Sequence, residues 1–132
     1  MPAKLTLTAL SVSLSLALAL LAAGAHQAAA AASDRVATLV VIKTPEGVTR
    51  AKIDAGFTAS VPTYEKIPGL IRKYFTVNGD GFGGIYLWKN RAAAEAWYTA
   101  AWAAQCKQRY GTECQLTWFD TPLQIEGQAA TQ

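Results

Sequence analysis

The chain has 132 residues, with twelve Lys and Arg against nine Asp and Glu for a formal net charge of +3. Arg72-Lys73 is its only adjacent basic pair, so the clustered basic footprint that nucleic-acid binding requires is excluded. The single histidine, His26, lies in or beside a segment expected to be cut away, which removes histidine-based acid–base catalysis, Ser/His/Asp triads and His-ligated zinc or haem from the domain that remains.

Residues 1–32 read as an export signal. Lys4 is a short positive start, Leu5 to Leu21 is an uncharged apolar run, and small residues follow from Ala22 to Ala32, the order that a secretion channel and a signal peptidase read. Cleavage is expected between Ala25 and Ser33. A membrane anchor is the alternative, because a run of about 17 apolar residues is near the lower limit for a spanning helix. The alanine-rich flank carries no Lys/Arg cluster after the apolar run, which favours the cleaved signal. The expected product is therefore exported, periplasmic or secreted, and without a stable membrane anchor.

Residues 33–126 carry the pattern of one small domain, and 127–132 that of a flexible tail. Val36 to Lys43 is rich in β-branched residues and reads as a buried strand that ends at the turn composition Thr44-Pro45-Glu46-Gly47. Thr49 to Lys66 places Ile53, Phe57 and Val61 at near-helical spacing, with Pro62 expected to break or restart the helix near a capping Ser60. Leu70 to Val77 is a second strand, Asn78-Gly79-Asp80-Gly81 a hairpin turn, and Phe82 to Lys89 a third strand pairing antiparallel with the second. The glycines around Asp80 lead into a strand and not a helix, so they do not form a phosphate loop.

Asn90 is placed to cap a single helix over Arg91 to Arg109, with Ala93, Trp97, Ala100, Ala101 and Ala104 on one face and Gly111 closing it. Cys114 to Leu123 is the last strand. The order βαββαβ predicts an α+β, ferredoxin-like unit. Both faces of its strands look buried while one helical layer covers only one face, so a homodimer is expected. Cys106 and Cys114 lie eight apart. In an oxidising compartment a disulfide between them would constrain the unfolded chain by roughly 2 to 3 kcal/mol. Two buried thiols or, less readily, a metal site are the alternatives; no metal site is expected.

Ile67-Pro68-Gly69-Leu70-Ile71-Arg72-Lys73-Tyr74, then Gly83-Gly84-Ile85-Tyr86-Leu87-Trp88, then Arg91-Ala92-Ala93-Ala94-Glu95-Ala96-Trp97-Tyr98 resemble the ydhR-like mono-oxygenase family over about residues 36–123. That family belongs to the dimeric α/β-barrel superfamily, which includes the antibiotic-biosynthesis mono-oxygenases. The resemblance implies two sheets meeting as a barrel, a pocket in each subunit between sheet and helices, and cofactor-independent mono-oxygenation of a small apolar or aromatic compound. The export signal and the cysteine pair depart from the cytoplasmic pattern of that family.

By alternation, Arg72 and Tyr74 share one face of their strand, and Tyr86 and Trp88 one face of the next. If the hairpin joins those faces, they form an aromatic wall with one cation. Arg72 would then hold an oxyanion, and Tyr74 or Tyr86 would give or take a proton. Trp88 would contact a small hydrophobic or aromatic ligand, and Trp102 would line or seal the pocket. Packing of these residues in core and interface is the competing reading. A non-catalytic exported ligand-binding protein and a dimeric interaction module are the competing functions.

Overall fold

The computed structural model describes residues 33–127. The expected signal segment, with His26, and the tail beyond Gly127 lie outside the described residues. The chain runs β1 (Val36–Lys43), α1 (Arg50–Tyr64), β2 (Leu70–Val77), β3 (Gly81–Trp88), α2 (Arg91–Trp97), α3 (Ala100–Tyr110) and β4 (Gln115–Asp120). The four strands form one antiparallel sheet in the order β2-β3-β1-β4, the ferredoxin-like arrangement of two split βαβ units.

Local chemistry sets the element ends. Thr49 caps α1 by accepting from the Lys52 N–H at 3.3 Å. In the β2–β3 turn, Asn78 Oδ1 accepts from the backbone N–H groups of Asp80 and Gly81. Gly111 closes α3 in the left-handed conformation at φ 71°. The Cys106–Cys114 disulfide joins the last turn of α3 to the residue before β4, with the Cα atoms 5.7 Å apart.

Two helix expectations are corrected. Pro62 does not break α1, which runs two residues past it. Ser60 is no cap, since its hydroxyl donates to the Phe57 carbonyl at 2.8 Å. The second helix is two helices. Tyr98 leaves helical geometry at φ −83°, ψ 65°, and Thr99 starts α3 by accepting from the Trp102 N–H. The buried positions are consequently Ala94 and Cys106, not the alanine face expected of one continuous helix.

The break at Tyr98 turns its ring onto the sheet. Thr38 and Trp88 are both completely buried. Trp88 Nε1–H donates to Thr38 Oγ1 at 3.0 Å, and the Thr38 and Tyr98 hydroxyls share a hydrogen bond of 2.8 Å. Tyr98 stands edge-on to Trp88, Trp102 and Trp118, an arrangement that aromatic quadrupoles favour. Val36, Val40, Ile42 and Tyr86 complete the core on this face.

Among the described residues, no helix covers the opposite face of the sheet. Alternation sends Leu39, Ile85, Leu87, Tyr74 and Phe119 to it, and Ile85, Tyr74 and Phe119 are 45%, 56% and 47% exposed. The expectation that both faces are buried therefore does not hold within one chain.

Replacing Thr38 by Val keeps the shape and removes the shared hydroxyl, leaving Trp88 Nε1–H buried without an acceptor. Urea unfolding is expected to show a loss of about 1–3 kcal/mol, whereas Thr38→Ser, which keeps the hydroxyl, loses less.

Candidate functional site

Between α1, the end of α3 and the sheet lies an open cavity of about 470 Å³, within the usual range of small-molecule sites. Phe57 and Tyr64 from α1, Phe75 from β2, Phe82 and Tyr86 from β3 and Tyr110 from α3 supply its aromatic walls. A smaller cavity of about 230 Å³ adjoins it, sharing Tyr64, Tyr86, Arg109 and Tyr110 and extending to Trp97 and Trp102.

The residue that sequence reasoning missed is Lys73. It pairs with Tyr86 across the β2–β3 ladder, so its side chain shares the helix-covered face. Its Nζ lies 2.9 Å from the centroid of the Tyr64 ring, 4.0 Å from that of Phe75 and 4.7 Å from that of Tyr86, where the ring faces attract the ammonium form. Gly84 makes room for it: a Cβ there would stand 3.0 Å from Lys73 Cε and 3.1 Å from Tyr86 Cε2. The ion pairs among the described residues are Arg50–Asp54 and Arg91–Glu95, and neither involves Lys73. Burial without a carboxylate lowers its pKa to about 7.

The phenols around the amine behave in the opposite sense. Burial, first, raises the pKa of both Tyr86 and Tyr64 above the usual tyrosine range, and their ring centroids lie 6.0 Å apart. Tyr86 is therefore held in its protonated form near neutrality, where its hydroxyl can donate a hydrogen bond. The same cause raises Tyr98.

The expected aromatic wall is not assembled. The ladder sets Arg72 opposite Leu87 and Tyr74 opposite Ile85, on the helix-free face, where the Arg72 guanidinium donates to the Tyr74 hydroxyl at 3.3 Å in solvent. A register irregularity between Leu70 and Arg72 explains how Leu70 reaches the core while Arg72 does not. Tyr86 lines the cavity, Trp88 is sealed in the core behind it, and Trp102 lines the smaller cavity. Cys106 and Cys114 also border the smaller cavity, as a disulfide. Among the described residues no three His, Cys, Asp or Glu cluster as metal ligands would.

No protein-family model matches the chain, and no curated protein is detectably similar to it in sequence. Solved structures share its fold. A heme-degrading protein from Mycobacterium tuberculosis, in heme-free form, is 19% identical with a TM-score of 0.50, covering 70% of this chain and 97% of its own. A variant of MhuD with two manganese protoporphyrin IX molecules bound per active site is 24% identical with a TM-score of 0.51, over 70% of this chain and 99% of its own. A protein of unknown function from Nitrosomonas europaea is 13% identical with a TM-score of 0.57, over 72% of this chain and 96% of its own. At these identities the likeness is one of fold. It agrees with the ferredoxin-like unit read from the strand order.

The depressed Lys73 pKa has a thermodynamic consequence. Between about pH 7 and its ordinary value of 10.5 the folded amine is largely neutral and the unfolded one protonated, so stability rises with pH across that window. Between pH 7 and pH 9.5 the urea midpoint of wild type is expected to rise relative to that of Lys73→Met.

Proposed function

We propose that the protein is a cofactor-independent mono-oxygenase, of the kind the ydhR-like resemblance implies, acting on a small planar aromatic compound with an acidic C–H or O–H group. The observation that carries this reading is a Lys73 amine without a carboxylate partner, held among aromatic rings in an open cavity. A flat ring fits between such walls. The neutral amine takes the substrate proton, and the hydroxyls of Tyr64 and Tyr86, both on the cavity wall, donate hydrogen bonds to the developing oxyanion. The resulting carbanion or enolate reduces dioxygen directly. A carbon–oxygen bond forms as a peroxide, whose O–O bond then breaks with loss of water. A methylene plus dioxygen gives a carbonyl plus water, and the substrate supplies all four electrons, so no bound cofactor is required. The fold neighbours include heme-degrading proteins, but residues 33–127 contain no histidine to ligate a haem iron, which favours the cofactor-independent reading over haem as substrate.

The active form in this reading is an exported homodimer. The disulfide suits an oxidising compartment. The helix-free face, with its exposed Ile85 and Phe119, is covered by the same face of a second copy, which places Arg72 and Tyr74 at the interface and not at the chemistry.

Dioxygen uptake with a panel of anthrones and hydroquinones tests the chemistry. Wild type is expected to show turnover that climbs about tenfold per pH unit below pH 7 and levels off above it, as Lys73 loses its proton. Lys73→Met is expected to lose about 10²–10⁴-fold together with that acid limb. Turnover that survives the substitution with the same pH profile sinks the assignment. Sedimentation of the domain from Ser33 onward tests the assembly: wild type is expected to run as a dimer and Ile85→Glu as a folded monomer, while a monomeric wild type removes the dimer from the reading.

A further inference from the structure

The cavity carries a charge pattern that its apolar walls do not explain. Among the described residues, three cations border it, Lys52 from α1, Lys73 from β2 and Arg109 from α3, and no Asp or Glu does. Lys73 lies among the rings, whereas Lys52 and Arg109 are exposed and so stand toward the solvent side of the opening. The adjoining smaller cavity is also bordered by no carboxylate among the described residues. It is lined by Trp97, whose Nε1–H is buried without a hydrogen-bond partner, so a donor as well as positive charge is left for something else to satisfy. Both ion pairs among the described residues lie on the outer surfaces of α1 and α2, leaving Lys52 and Arg109 unneutralised. Like charges gathered around a low-dielectric cleft focus a field into it and raise the local concentration of counter-charge.

We infer that this cavity binds a planar aromatic molecule bearing a carboxylate, with its ring between the aromatic walls and its anionic group directed to Lys52 and Arg109 at the mouth. This names the substrate class of the proposed mono-oxygenase and rests on that reading only in placing the reaction at the same cavity. The two rim cations set which molecules enter, while Lys73 is kept for the proton. A neutral hydrocarbon of the same shape gains the ring contacts but not the rim charges, and an aromatic ammonium is repelled by all three cations.

The probes are 2-naphthoate and its neutral analogue 2-naphthamide, titrated by calorimetry under anaerobic conditions at low ionic strength into wild type and into the Lys52→Gln/Arg109→Gln double variant. Wild type is expected to bind naphthoate about tenfold more tightly than naphthamide, because two partly screened ion pairs are gained, and to lose much of that preference as salt is added. The double variant, altered only at exposed positions, is expected to keep its naphthamide affinity and bind both probes alike. Equal affinities in wild type, no binding of either probe, or an anion preference that persists in the double variant overturns the inference. Because binding is read without oxygen, an anion preference accompanied by no oxygen uptake leaves this inference standing and sinks the mono-oxygenase. Turnover of neutral hydroquinones without an anion preference does the reverse.

Discussion

Everything on the helix-covered face of the sheet is arranged around one hydroxyl. Thr38 sits at the middle of β1, completely buried, and its Oγ1 joins Trp88 of the neighbouring strand to Tyr98 of the helical layer. A threonine at that depth is tolerable only because both its neighbours are polar at the right atom. Tyr98 can reach it only because the chain leaves helical geometry there and restarts at Thr99. That restart aims α3 across the sheet, carrying Trp102, Arg109 and Tyr110 to the cavity walls. The placement of the candidate site thus traces back to a hydrogen bond on its far side.

The sheet serves two environments at once. One face holds the core and the cavity; the other holds Leu39, Ile85, Leu87 and Phe119, with no helix over them among the described residues. Lys73 and Arg72, adjacent in sequence, fall on opposite sides of this division. One is partly buried and surrounded by rings, and the other is solvated beside Tyr74. The contrast in their chemistry comes from the pleat alone, since strand neighbours point to opposite faces.

Much of this was legible in the residues. The β-branched run of β1, the Asn78–Gly81 turn, the Gly111 cap and the Cys106–Cys114 link each rest on local chemistry, and the ferredoxin-like order follows from them. What was not legible depended on pairing. Alternation alone divides β2 into two faces, but the ladder decides which of them meets Tyr86, and the irregularity near Ile71 shifts Leu70 relative to the rest. A lysine in a strand reads by default as a solvent residue. The available signal was that Lys73 alternates with Phe75 and Val77, the more apolar set. The division at Thr99 was masked by the helix propensity of the alanines on both sides, although a threonine three residues before Trp102 is a helix-start pattern.

The irregularity beside Ile71 has a second consequence, for solubility. In the order β2-β3-β1-β4, strands β2 and β4 end the sheet, and each presents unpaired backbone groups to which another chain could add. The irregularity interrupts regular pairing near the start of β2, and the exposed Arg72 charge follows at once. At the other border, β4 closes on Asp120, with Pro122 two residues beyond. An interrupted ladder, a charge and a proline each discourage strand addition. The face-to-face dimer proposed above thus need not lead to a third copy joining edge to edge, and the borders of the sheet set an upper limit on how far association can run.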